Sequence, residues 1–150
     1  MTAQKTSPDI ALRITRTIQA PREKVFQAWT DPEKLIKWWG PEGCSCHTAE
    51  VDLREGGGYR IQMSVPDGGE HFTHGEYREV RPPEKLVFTW IWEKVAEMEG
   101  VETLMTLEFM EKGEATEIIL THERFPTEQD RKNHEWGWNS SLDCLEKALA

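Results

Sequence analysis

A chain of 150 residues can bury roughly two thirds of its unfolded surface around one core, so a single domain over residues 10–150 is expected, behind a polar, aperiodic tail at 1–9. Charged residues make up 30% and apolar ones 37%, which concentrates the apolar side chains on few faces. A net charge of −9 without any basic cluster argues against nucleic acid or an anionic membrane as partner.

In chain order, Ile10, Leu12 and Ile14, with Ile18 further on, alternate with polar residues as a half-buried strand. Ala20-Pro21 ends it, and Pro21 opens a helix carrying Val25, Phe26 and Trp29 on one side. Thr30-Asp31-Pro32 starts a second short helix, with Leu35, Trp38 and Trp39 at helical spacing and Gly40-Pro41 as its stop. The period then changes from 3.6 to 2. Runs at about 46–54, 57–65, 70–81, 85–93 and 101–112, and a last one at 115–124, are separated by turn signals such as Gly56-Gly57-Gly58 and Pro82-Pro83. Connections this short leave no room for crossover helices, so the sheet is expected to be antiparallel. From Pro126-Thr127 a long helix runs to the C-terminus, aligning His134, Trp138, Leu142, Leu145 and Leu149. One helix cannot cover one face of a seven-stranded sheet. The expected fold class is therefore α+β, a curved antiparallel sheet gripping a C-terminal helix with a cavity between them.

Three Cys, two of them at Cys44 and Cys46, imply no disulfide framework. Met1 to Asp9 lacks an apolar segment and nowhere do eighteen apolar residues run together, so neither a signal peptide nor a membrane span is expected and the location is read as cytoplasmic.

Particular phrases carry a resemblance. Ile18-Gln19-Ala20-Pro21 leads to Val25-Phe26 and Trp29, followed by Lys37-Trp38-Trp39-Gly40-Pro41 and Gly56-Gly57-Gly58-Tyr59. Pro82-Pro83-Glu84-Lys85-Leu86-Val87-Phe88-Thr89-Trp90, Leu120-Thr121-His122-Glu123 and Gly137-Trp138 complete the series. In this order and spacing, over about residues 10 to 149, the chain resembles the SRPBCC superfamily, also called START-like or birch-pollen-allergen-like, and within it the branch of activator-of-heat-shock-ATPase homologues. The resemblance implies the helix-grip fold. It implies less about activity, because the superfamily includes lipid carriers, hormone receptors, cyclases, resistance proteins and co-chaperones.

The aromatic residues give the first candidate site. Trp90 and Trp92, with Phe88, share one face of a strand; with Trp138, Met63, Phe72, Met105, Leu107, Phe109 and Leu142 they would line an apolar chamber for a ring-containing or acyl ligand. The plain alternative is a filled core, against which stands the number of tryptophans, since packed cores favour branched aliphatics. Trp38 and Trp39 would form a rim, or one packs inward and the other stays exposed. His122 shares its face with Ile118 and Leu120 and would either bond a ligand hydroxyl, act as a general base, or be a satisfied core histidine. The last is preferred over catalysis because no partner acid, nucleophile or oxyanion donor is identifiable. His134 and Tyr59 are the other polar groups that would converge on a ligand or close the cavity against water. Cys44, Cys46, His47, His71 and His74 suggest zinc, but Cys-x-Cys is too tight and residues 71 and 74 of one strand face opposite ways; no metal or cofactor is expected. Acidic residues around Glu93, Glu97, Glu99 and Glu102 read as a solvated loop.

The expected function is binding of a small hydrophobic or aromatic molecule in the cavity. A cyclase- or aromatase-like enzyme using His122 is the alternative, and a chaperone-ATPase-stimulating module a second, weakened because a single domain leaves no further domain for chaperone contact. A sheet edge or exposed Trp offers a route to a homodimer.

Overall fold

The computed structural model describes residues 10–40, 43–66, 68–93 and 100–149. The tail expected at 1–9, Pro41, Asp67, the acidic loop positions Glu97 and Glu99, and Ala150 lie outside them.

The strands are β1 (Ala11–Ile18), β2 (Ala49–Val51), β3 (Gly58–Ser64), β4 (Glu70–Arg81), β5 (Lys85–Glu93), β6 (Glu102–Lys112) and β7 (Ala115–Glu123). They form one antiparallel sheet in the order β1-β7-β6-β5-β4-β3-β2. Two short helices, α1 (Arg22–Thr30) and α2 (Pro32–Leu35), lie between β1 and β2, and α3 (Glu128–Leu149) follows the sheet. The helix-grip architecture is thus the one the periodicities predict.

Local chemistry explains the helix starts. Pro21 precedes α1 in extended conformation, and the Asp31 side chain caps α2 by accepting from the Glu33 N–H at 3.0 Å. Thr127 does the same for α3, its hydroxyl accepting from the Asp130 N–H at 3.0 Å. The predicted strand at 46–54 shrinks to three residues. The His47 N–H is taken by the Gln62 side-chain oxygen at 2.9 Å in place of a ladder partner, leaving Ser45↔Ser64 as an isolated bridge.

One face of the sheet meets α3. Register places Leu86, Phe88, Trp90 and Trp92 of β5 beside Met105 and Leu107 of β6, and these beside Leu120 and His122 of β7. All are buried except Trp92, which is half-buried. From α3, Trp138, Ser141, Leu142 and Leu145 come down onto this layer. The edge strand adds a polar clasp: Arg16 donates to Asp143 at 2.8 Å, Glu146 at 3.2 Å and the Asn139 carbonyl at 3.3 Å. On the other half, β4 and β5 approach so closely at Gly75 that a Cβ there would stand 2.0 Å from the Thr89 carbonyl oxygen. The same carbonyl accepts the Tyr59 hydroxyl at 2.6 Å.

Candidate functional site

Between the N-terminal half of α3 and the ends of β3, β4 and β5 lies a cleft of about 250 Å³. It is lined by Trp39, Gly40, Met63, His71, Trp90, Trp92, Asp130, Asn133, His134, Trp136, Gly137, Trp138 and Ser141. The helix contributes through positions 130, 133, 134, 137, 138 and 141, which recur every three or four residues and therefore share one face. Gly137 in the middle of that face presents no side chain, although glycine in a helix interior costs about 1 kcal/mol relative to alanine. Gly40, at φ +98°, brings the backbone close enough that a Cβ would lie 2.9 Å from the Met63 sulfur.

The walls are indole rings. Trp39 stands 5.6 Å from Trp90 and 5.9 Å from Trp138, Trp90 lies 5.1 Å from Trp138 and 5.5 Å from Trp92, mostly edge to face. Trp29 and Trp38 extend the cluster beneath the cleft, 4.7 Å apart.

Two histidines couple helix to sheet in opposite senses. The Trp92 indole N–H, from the sheet, donates to His134 Nε2 on α3 at 2.9 Å, while His134 Nδ1–H donates to the Asp130 carbonyl at 2.8 Å. The Trp138 indole N–H, from the helix, donates to His122 Nδ1 on β7 at 3.1 Å. That leaves the His122 proton on Nε2, which donates to Thr103 Oγ1 at 2.8 Å; the Thr103 hydroxyl donates onward to the Trp90 carbonyl at 3.0 Å. Every nitrogen of both rings is used by a neutral imidazole. Burial holds His122 well below the usual imidazole range, with His134 adding in the same direction, and burial also lowers His134 against the opposing effect of the Asp130 carbonyl. A general-base role for His122 would require one of its two internal bonds to break.

Of the residues singled out from the sequence, Trp39, Met63, Trp90, Trp92, His134 and Trp138 meet at the cleft. The others are placed elsewhere. Trp38 is buried with its N–H on the Ala28 carbonyl at 2.9 Å, so neither tryptophan of the pair is left exposed. Tyr59 packs 5.3 Å from Phe88 and 5.5 Å from Tyr77 on the same sheet face but outside the cleft lining. Phe88, Met105, Leu107, Phe109 and Leu142 are buried in the core rather than at the cleft, and His122 sits beneath the cleft, locked by its own hydrogen bonds. Phe72 is on the opposite sheet face, where the Arg60 guanidinium covers its ring at 4.1 Å; its neighbour His71 faces the cleft instead. The helix rule applied to His134 reaches 130, 137 and 141, which the sequence reading left out along with Asn133 and Trp136.

Among the described residues no three His, Cys, Asp or Glu side chains converge as a metal site. Cys46, whose thiol faces the Thr48 carbonyl at 3.7 Å, is pushed up to about 11 by burial and stays protonated at neutral pH. Nor, among the described residues, is any helix long and apolar enough to cross a membrane.

Comparison with known proteins agrees with this architecture. Residues 19–150 match the family described as Activator of Hsp90 ATPase homolog 1-like protein. Among solved structures, a Chromobacterium violaceum protein is 28% identical with a TM-score of 0.84, and the AHSA1 protein of Silicibacter pomeroyi is 29% identical with a TM-score of 0.82. Each alignment covers 93% of this chain and 96% of the other. A Nitrosomonas europaea protein is 25% identical, with a TM-score of 0.79 over 93% of this chain and 94% of its own. No curated protein matches the sequence.

Proposed function

We propose that this chain, which belongs to the Activator of Hsp90 ATPase homolog 1-like family, holds a small apolar, ring-containing molecule in the cleft between its sheet and α3. The observation that carries the reading is the cleft itself: an indole-walled opening kept clear by a glycine in the middle of the helix that borders it. Burial of the ligand's apolar surface supplies affinity at about 25 cal/mol per Å², and the polar lining groups Asp130, Asn133 and Ser141 orient it. A volume of about 250 Å³ lies just below the ~300–1,000 Å³ of sites for drug-sized ligands, so the occupant is a compact molecule rather than a long-chain lipid. The activation of an ATPase in the family's name is a protein-contact activity, and the cleft itself favours a small-molecule occupant.

The test is a thermal-shift screen of compact aromatics on the wild-type protein and on Gly137→Leu, whose side chain fills the cleft. A ligand at about one hundred times its Kd adds about 2.7 kcal/mol to stability. A shift in the wild type that is absent from the variant supports the reading. Silence across the screen, or equal shifts in both proteins, overturns it.

A further inference from the structure

We infer that the molecule held in this cleft carries a positive charge on nitrogen, a quaternary or protonated ammonium, seated among the indole faces beside Asp130. The inference rests on the reading of the cleft as a small-molecule site and narrows its chemistry.

Five indoles line one cleft, and indole is the aromatic side chain whose face attracts a cation most strongly. The polar edges of two of them are committed elsewhere. The Trp92 and Trp138 N–H groups are bonded to His134 and His122, while the Trp90 N–H is buried without a hydrogen-bond partner. What Trp92 and Trp138 offer a ligand is therefore the negatively polarised π face rather than a hydrogen-bond donor, which suits a cation and gives nothing to an anion.

The charges point the same way. Among the described residues Asp130 is the lining carboxylate, and no Lys or Arg lines the cleft. The arginine next in sequence, Arg131, is held by Glu128 and by Glu135 at 3.1 Å. Of the lining histidines, burial lowers His134 toward its neutral form, and His71 packs edge to face against Trp92 at 6.3 Å. The whole chain carries −9, so a cation is drawn toward it and an anion turned away. At the mouth stands Trp136, 69% exposed, the most exposed large apolar side chain described. An exposed indole at the rim is costly as solvated surface but is well placed to close over a cation whose own hydration is being removed.

Isosteres separate charge from shape. Isothermal titration calorimetry of the full chain with 4-(trimethylammonio)phenol and with 4-tert-butylphenol, at low salt, compares ligands that differ by nitrogen for carbon. The ammonium compound should bind about tenfold more tightly or better. The preference should shrink toward one in Trp136→Leu, which keeps an apolar side chain without the indole face, and in Asp130→Asn. Equal or tighter binding of the tert-butyl compound, or a preference unchanged in both variants, overturns the inference while leaving the apolar cleft intact. Absence of binding by either compound, together with silence in the aromatic screen, removes the cleft reading as well.

Discussion

Replacing His122 with leucine should change the protein's stability by an amount that depends on pH, and the dependence is the informative part. In the fold His122 is neutral and fully buried, accepting from the Trp138 indole and donating to Thr103. In His122→Leu the Thr103 hydroxyl keeps the Trp90 carbonyl, but the buried Trp138 N–H loses its acceptor. An orphaned buried donor costs about 1–3 kcal/mol, so at pH 7.5 the variant should be less stable by about 2 kcal/mol. The sign of the pH effect follows from the lowered folded pKa. The unfolded chain binds a proton near pH 6.5 while the folded chain does not, so the imidazole's contribution is present above that pH and is lost as the pH falls. For a ring that stays neutral in the fold down to pH 5, linkage removes about 2 kcal/mol of wild-type stability between pH 7.5 and pH 5. Leucine has nothing to titrate there. The gap between the two proteins should accordingly close from about 2 kcal/mol to near zero, and because every other ionisable group is common to both, their contributions cancel apart from the coupling of His122 to His134. Urea denaturation at the two pH values measures it. A gap that stays constant to within about 0.5 kcal/mol would show that His122 protonates in the fold, and would refute the neutral hydrogen-bond chain.

Three further outcomes are expected. Gly75→Ala should destabilise by more than about 3 kcal/mol in thermal or urea unfolding, because its Cβ would sit 2.0 Å from backbone oxygen that has no side chain to move aside; a loss under about 1 kcal/mol would contradict the β4–β5 approach. Arg16→Ala should cost about 1 kcal/mol and less in high salt, since Arg16 is mostly buried but Asp143 is largely exposed; salt-independent loss would point to packing instead. Gly137→Ala should stabilise the ligand-free protein by about 0.5–1 kcal/mol through helix propensity while weakening ligand-induced shifts. A less stable alanine variant would mean that the glycine serves close packing.

The fold was legible because each element obeys one period. Leu86, Phe88, Trp90 and Trp92 alternate across β5, and His134, Trp138, Leu142 and Leu145 follow the helical repeat, so both faces of the core can be written from the sequence. Phe72 shows where periodicity fails. Tyr77 pairs with Phe88 and Val80 with Leu86, both inward, although they are three residues apart; the irregularity between Tyr77 and Glu79 exchanges odd and even positions. Upstream of it His71 faces the cleft and Phe72 faces out, which no alternation rule reveals without the bulge. Asp130, Gly137 and Ser141 were within reach of the helical repeat through His134, yet their small or polar side chains carry no hydrophobic signal. Whether Trp38 or Trp39 meets the cleft depends on how the turn after α2 seats them against Trp29, a tertiary matter.

Six of the seven tryptophans, Trp29, Trp38, Trp39, Trp90, Trp92 and Trp138, are linked ring to ring with centroids 4.7 to 6.1 Å apart. At such separations excitation passes among indoles faster than any of them emits. The cluster therefore behaves optically as one antenna, so that a quencher reaching Trp39 or Trp92 at the cleft should darken Trp29 and Trp38 as well.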